Sequence, residues 1–230
     1  MPVQARTKAR RPTSGSADAQ RAEGERRRAP ARDKVRQARH EAYRDLILEA
    51  AQRVFAEKGY AEAKVTDIAQ AAGVATGTVY GIFPGKEDLY RAIHRENLDE
   101  LARHYAAIAA RGSVRETLLA RSEVSTRFLT SRPDYLRIYL REAERWGFDP
   151  SELPGDAAAF VDLSLFERGI ANGELVDEDP ELLQSVMMAS GQVHLAHWLR
   201  TGMREDPAAL AARIQAFTRR AIFRSEPAPA

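Results

Sequence analysis

From Glu41 onward, apolar residues recur at spacings of one, three and four, with no sustained alternation of period two. Tyr43, Leu46, Ile47, Ala50, Ala51, Val54 and Phe55 form the first such series, with Arg44, Asp45, Glu49, Arg53 and Glu57 between them. This periodicity predicts an amphipathic helix. Gly59 predicts its stop, because glycine takes positive φ without steric cost. Val65, Ile68, Ala69 and Ala72 predict a short helix that Gly73 ends. Val74 leads into a second short helix, Thr76 to about Phe83, which Pro84-Gly85 breaks before Lys86 opens a longer one. Leu89, Tyr90, Ile93, Leu101, Tyr105 and Ile108 make the stripe of that longer helix.

The same period continues to the end of the chain. It predicts helices from Val114 to about Thr130, from Pro133 through Trp146 to Gly147, and from Ala157 to Ala171, the last closed by Asn172-Gly173. Residues 149–156, rich in Pro and Gly, read as a loop. Asp179-Pro180 and Asp206-Pro207 repeat one device, a carboxylate that caps free N–H groups and a proline in the first turn where no bond is lost. The two helices they open carry Leu182, Leu183, Val186, Val193 and Trp198, and Leu210, Ile214, Phe217 and Ala221. The expected fold class is therefore all-α, with residues 225–230 a frayed end.

Residues 1–38 stand apart as a basic, disordered arm, because they contain no aromatic residue and few branched aliphatics. The formal charge of +2 conceals a split: residues 1–40 carry 12 basic and 4 acidic residues, so the rest of the chain is net acidic. The arm reads either as a plain tail or as a segment that condenses onto a polyanion once the folded part has docked. No signal peptide or membrane-spanning run is visible, which places the protein in the cytoplasm. The absence of Cys excludes a disulfide scaffold, a thiolate nucleophile and a Cys-ligated metal centre.

Two short helices about one glycine, within VTDIAQAAGVATGTVYGIFPGKEDLY (65–90), need an explanation. Helices of this length are marginal alone. A helix-turn-helix accommodates them, since one helix braces the other and the second lies in a DNA major groove. Ala69 is small at the crossing, Gly73 supplies the turn, and Val74 and Val79 plug it, which leaves Thr76, Thr78 and Tyr80 to face outward. On spacing alone, a generic αα-hairpin stays open.

These residues resemble the TetR family of bacterial transcriptional regulators. Lys64 through Ala69, Ala72-Gly73-Val74, Gly77 through Tyr80, Phe83-Pro84, Lys86-Glu87 and Leu89 follow the family's order and spacing, after a first helix ending in Phe55 through Tyr60. The resemblance covers residues 41–92, and farther on it is architectural, with Gly169 through Leu175 also alike. It implies an amino-terminal three-helix DNA-binding domain over residues 39–86 and a larger helical effector-binding and dimerisation domain over 87–224. Two departures stand out: Ala63 and Lys64 occupy the place of a hydroxyl cap, and Gly81-Ile82 replaces residues that are commonly aromatic or His.

The resemblance implies DNA contacts from Thr76, Thr78 and Tyr80 and a phosphate contact from Lys86. Lys64, Thr66 and Gly77 complete the expected interface, Gly77 by close backbone approach unless it only eases a helix crossing. Residues 41–100 hold seven basic and eleven acidic residues, so attraction to phosphate must come from cations gathered on one face or from the arm.

The expected partners are double-stranded DNA with a palindromic operator, a second copy of the chain bound through the last two helices, and a small-molecule effector. Effector candidates are the aromatic and charged residues Phe128, Tyr139, Glu142, Arg145, Trp146 and Phe166 of the middle helices, although core packing also explains aromatics there. No cofactor, catalytic residue or metal ligand is expected: His194 and His197 are two imidazoles without a further ligand, and no nucleophile elbow, P-loop or H-E-x-x-H is present. The sequence thus reads as a homodimeric, effector-released repressor. An activator or architectural protein without a ligand, and a helical enzyme or adaptor that never touches DNA, are the alternatives.

Overall fold

A computed structural model describes the backbone of residues 15–108, 112–146 and 162–224, and the side chains within them except over 15–33 and 142–146. The chain divides into two compact units, Met1–Leu46 and Ile47–Ala230. Among the described residues the architecture is all-helical: α1 (Gly15–Glu62), α2 (Val65–Ala71), α3 (Thr76–Tyr80), α4 (Lys86–Ala107), α5 (Val114–Thr130), α6 (Pro133–Trp146), α7 (Leu163–Ala171), α8 (Pro180–Arg200) and α9 (Pro207–Ile222). None of the described helices is long and apolar enough to cross a membrane.

In the first unit, the backbone is helical from Gly15, well before the expected start at Glu41 and within the segment expected to be disordered. The Ala, Arg, Gln and Glu residues that cannot build a core are also strong helix formers, and the two properties are independent. Exposed pairs one turn apart, Gln37 with Glu41 at 3.0 Å and Arg39 with Tyr43 at 3.3 Å, add local support.

In the second unit, α1 is interrupted at Gly59, where φ is 79°. Asp179 and Asp206 cap α8 and α9 as expected, each carboxylate accepting from two backbone N–H groups. α7 spans Leu163–Ala171 after a non-helical Asp162, whose carboxylate accepts from the Ser164 hydroxyl at 2.6 Å and from Arg121 at 3.2 Å, and the expected helix over 157–161 lies outside the described residues. The predicted loop over 149–156 and the predicted frayed end over 225–230 lie outside the described residues.

The core has two parts. One gathers Phe55, Ile68, Val79, Leu89, Leu136 and Leu210 with their neighbours into a continuous apolar cluster. The other joins Val114, Leu118, Leu165, Leu175, Leu183 and Phe223. α9 packs along both α5 and α8. The turn after α7 closes the second cluster: the Glu174 carboxylate accepts from the backbone N–H of Val114 at 3.1 Å and Arg115 at 2.7 Å, capping α5 from a distant part of the chain. Burial pushes this carboxyl up, but those two N–H groups, Asn172 and Ser113 outweigh it and hold it below the ordinary range. Leu175 and Phe223 pair in an isolated antiparallel bridge, the one strand-like feature among the described residues.

Candidate nucleic-acid interface and effector cavity

The start of α2 lacks a hydroxyl cap, as the sequence indicates, and a carboxylate within its first turn reaches back to the residue before it. Asp67 accepts from the Lys64 backbone N–H at 3.3 Å and from the Lys58 ammonium at 2.8 Å. The Lys58 hydrogen bond holds this carboxyl below the ordinary carboxylate range. Gly73, with φ at 65°, turns the chain, and Val74 N–H donates to Ala69 at 3.0 Å.

α3 follows after Ala75 and ends at Tyr80, short of the expected Phe83. Gly81 caps it, and the N–H groups of Ile82 and Phe83 both return to the Val79 carbonyl, a tightening forced by Pro84, which disfavours helix at the residue before it. Val79 is fully buried, whereas Thr76 and Thr78 are half-buried and Tyr80 is 53% exposed. Lys64, Thr66 and Gly77 are exposed. A Cβ at Gly77 would meet nothing within 4 Å, which rules out a tight helix crossing as the reason for glycine and leaves open space in front of the backbone.

Lys86 is placed differently from a solvated phosphate ligand. Its ammonium donates to the carbonyls of Tyr60 at 2.7 Å, Ala63 at 3.1 Å and Ala61 at 3.3 Å, and lies 4.4 Å from the centre of the Tyr60 ring. It therefore satisfies carbonyls left open at the end of α1, the negative pole of that helix. Other cations nearby are also engaged: Arg53 with Glu49, Lys58 with Asp67, and Arg91 with Glu87.

Within the body lies a cavity of about 140 Å³. Of the six effector candidates, Tyr139 and Phe166 line it. Phe128 does not: it is buried in the core with the Arg132 guanidinium 4.0 Å over its ring. The side chains of Glu142, Arg145 and Trp146 lie outside the described residues. Sequence reasoning missed His94, Asn97, Arg121 and Gln192 among the lining residues. A signal was present for Gln192 alone, since Gln184, Met188, Gly191, Gln192 and Leu195 share one face of α8 and two of the five are amides on a stripe otherwise suited to burial.

His94 is 1% exposed, stands 3.5 Å from the Tyr135 hydroxyl by its Nδ1, and has its pKa lowered by burial to about 4. It forms ring contacts with Tyr90 and Tyr135, and Tyr90 in turn meets Tyr60 and Phe55. An aromatic series thus connects the cavity wall with the end of α1. The His194 Nδ1 is 2.7 Å from the Ser190 carbonyl and its ring packs on Phe217, and among the described residues no group of three or more His, Asp or Glu side chains gathers to hold a metal ion.

On α8 and α9 the expected stripes divide between interior and surface. Leu183, Trp198, Leu210 and Ile214 are buried, while Leu182, Val193 and Phe217 remain exposed, Val193 by 60% and Phe217 by 45%.

Comparison with known proteins gives a consistent result. The family model for bacterial regulatory proteins, tetR family, matches residues 47–93. The chain is 34% identical over 173 residues to the HTH-type transcriptional repressor Rv1474c of Mycobacterium tuberculosis, covering 64% of this chain and 89% of that protein. A shorter match, 43% identical over 54 residues, joins it to the fatty acid metabolism regulator protein of Bacillus subtilis, covering 24% of this chain and 28% of that one. Among solved structures, the ketosteroid transcriptional regulator KstR2 of Mycobacterium tuberculosis superposes with a TM-score of 0.65 at 25% identity, over 79% of this chain and 95% of that one.

Proposed function

The chain belongs to the TetR family of bacterial transcriptional regulators, and on that footing we propose that it is a homodimeric repressor that leaves a palindromic operator when a small molecule fills its cavity. As a member it is a sequence-specific DNA-binding regulator and not an enzyme. The observation that carries the reading is α3 itself: a short braced helix that presents Tyr80 and the open backbone of Gly77 to solvent. Thr76, Thr78 and Tyr80 supply base-edge or backbone contacts, and Lys64 and Thr66 meet flanking phosphates. Lys86 joins them by exchanging one of its three carbonyl partners for a phosphate oxygen.

One such helix gives little affinity, and a second copy across a symmetric site raises it. The exposed Leu182, Val193 and Phe217 on α8 and α9 supply an apolar surface for that pairing. The domain division follows the same logic, with reading residues up to 86 and sensing and pairing residues over 87–224. Its place of action is the cytoplasm, with the operator.

Selection of bound fragments from random DNA tests this reading. A palindromic sequence is expected to emerge, and Tyr80→Ala is expected to lower affinity for it about tenfold or more at an unchanged melting temperature. Equal retention of all fragments overturns it.

A further inference from the structure

The cavity wall is apolar along Leu101, Leu129, Met187 and Met188, and the polar groups set into it have unequal hydrogen-bond accounts. Gln192, 5% exposed, donates from its amide to the Tyr139 hydroxyl at 3.1 Å, while among the described residues no donor reaches its Oε1. Having accepted from Gln192, the Tyr139 hydroxyl keeps its own proton to give. Burial raises the pKa of this phenol, so the proton is retained at physiological pH. Gln192 and Tyr139 together offer one acceptor and one donor, and a hydroxyl group answers both at once.

Arg121 supplies a different demand. Its Nη2 is engaged by Asp162 at 3.2 Å, but its buried Nε has no acceptor among the described residues. It is the one charged group on the described wall, since His94 is held neutral by burial and the phenols keep their protons. Asp162, the counter-ion of Arg121, is not a lining residue, and no carboxylate faces the cavity among the described lining residues, so a cationic guest would stand near a guanidinium with no carboxylate of its own to pair with. A buried polar atom left unmatched is destabilising, and a guest that matches it recovers that cost.

Building on the effector reading above, we propose that the cavity takes an apolar, uncharged or singly anionic molecule bearing a hydroxyl and a separate carbonyl or carboxylate oxygen. The hydroxyl donates to Gln192 Oε1 and accepts from Tyr139, and the second oxygen accepts from Arg121 Nε. The apolar body lies along the leucine and methionine wall.

Calorimetric titration of the full chain tests the assignment with 8-hydroxyoctanoate, 10-hydroxydecanoate and 12-hydroxydodecanoate, each beside its unhydroxylated acid and its methyl ester, and with decyltrimethylammonium. At one chain length or more, the hydroxy acid is expected to bind at least about tenfold more tightly than the plain acid. Gln192→Leu and Tyr139→Phe, each checked by its melting curve, are expected to abolish that preference while the plain acid still binds. Arg121→Met is expected to weaken the acid alone if a carboxylate is read, or the acid and ester alike if a neutral carbonyl is.

Absence of any hydroxyl preference overturns the proposal. So does a preference that survives both Gln192→Leu and Tyr139→Phe, an Arg121→Met protein with unchanged affinities, or an ammonium probe that binds as well as the acids. If the hydroxy acid binds as expected but leaves operator retention unchanged, the site assignment stands and the effector reading falls.

Discussion

The reading head and the cavity are opposite solutions to the placement of polar groups. In the head, polar atoms near α2 and α3 have partners within the chain: Asp67 takes two donors, and Lys86 serves three carbonyls. What α3 presents is uncharged, Thr76, Gly77, Thr78 and the half-exposed Tyr80, with Lys64 exposed beside α2. In the cavity, polar atoms point inward with capacity unused, at His94, Arg121 and Gln192. On the proposed function, a surface that reads a rigid duplex gains from groups fixed before contact, whereas a pocket that takes a guest keeps its unmet bonds for it.

The contrast in packing has the largest expected effect. Ile68, completely buried beneath the head, is expected to cost about 3 kcal/mol when changed to Ala, measured by urea unfolding. Leu101 borders space that is already open, and Leu101→Ala is expected to cost less, by about 1 kcal/mol or more. Equal losses would remove the distinction between a tight head and a slack body.

His94 sharpens the comparison through pH. Its pKa falls from 6.5 to about 4 on burial, so between these values the unfolded chain binds more protons than the folded one. Stability is therefore full above the unfolded value and declines as pH falls toward the folded one. From pH 7 to pH 5 this residue is expected to remove about 2 kcal/mol, a loss that His94→Asn abolishes in paired unfolding curves. Persistence of the same decline in His94→Asn would assign it to other groups.

The smallest effect concerns where the head finds attraction for phosphate, given that its own lysines and arginines are largely engaged. Deleting residues 1–35 is expected to weaken operator binding several-fold and to flatten the dependence of log affinity on log salt. An unchanged slope would return the burden to Lys64 and its neighbours.

The head was legible in the sequence because its determinants are local. Gly59 and Gly73 mark positive φ, Val79 plugs the crossing, and the periodicity around Ile68 is unbroken. α3 ends at Tyr80, ahead of the expected Phe83, because Gly81, a weak helix former, caps it before Pro84 restricts Phe83. The cavity was harder to see, since aromatic residues draw attention and Phe128 proved to be packing. Its polar residues come from α4, α5 and α8, and no spacing along one helix reveals that Gln192 faces the same space as Arg121. The helical backbone of 15–40 is hidden for another reason: a segment without residues for a core can still be rich in helix formers.

The clamp around Glu174 has a consequence for biosynthesis. Lys58 meets Asp67 across nine residues and Lys86 meets Tyr60 across 26, so these partners emerge from the ribosome nearly together. Arg115 waits 59 residues for Glu174 and 109 for the Arg224 carbonyl. Translation runs in one direction, so Ser113 and Glu116 can cap α5 locally as soon as it forms, while its contacts with Glu174 must wait until residue 174 is made. A chain cut short before Arg224 would carry these head contacts while lacking the hydrogen bond that Arg115 donates to the Arg224 carbonyl.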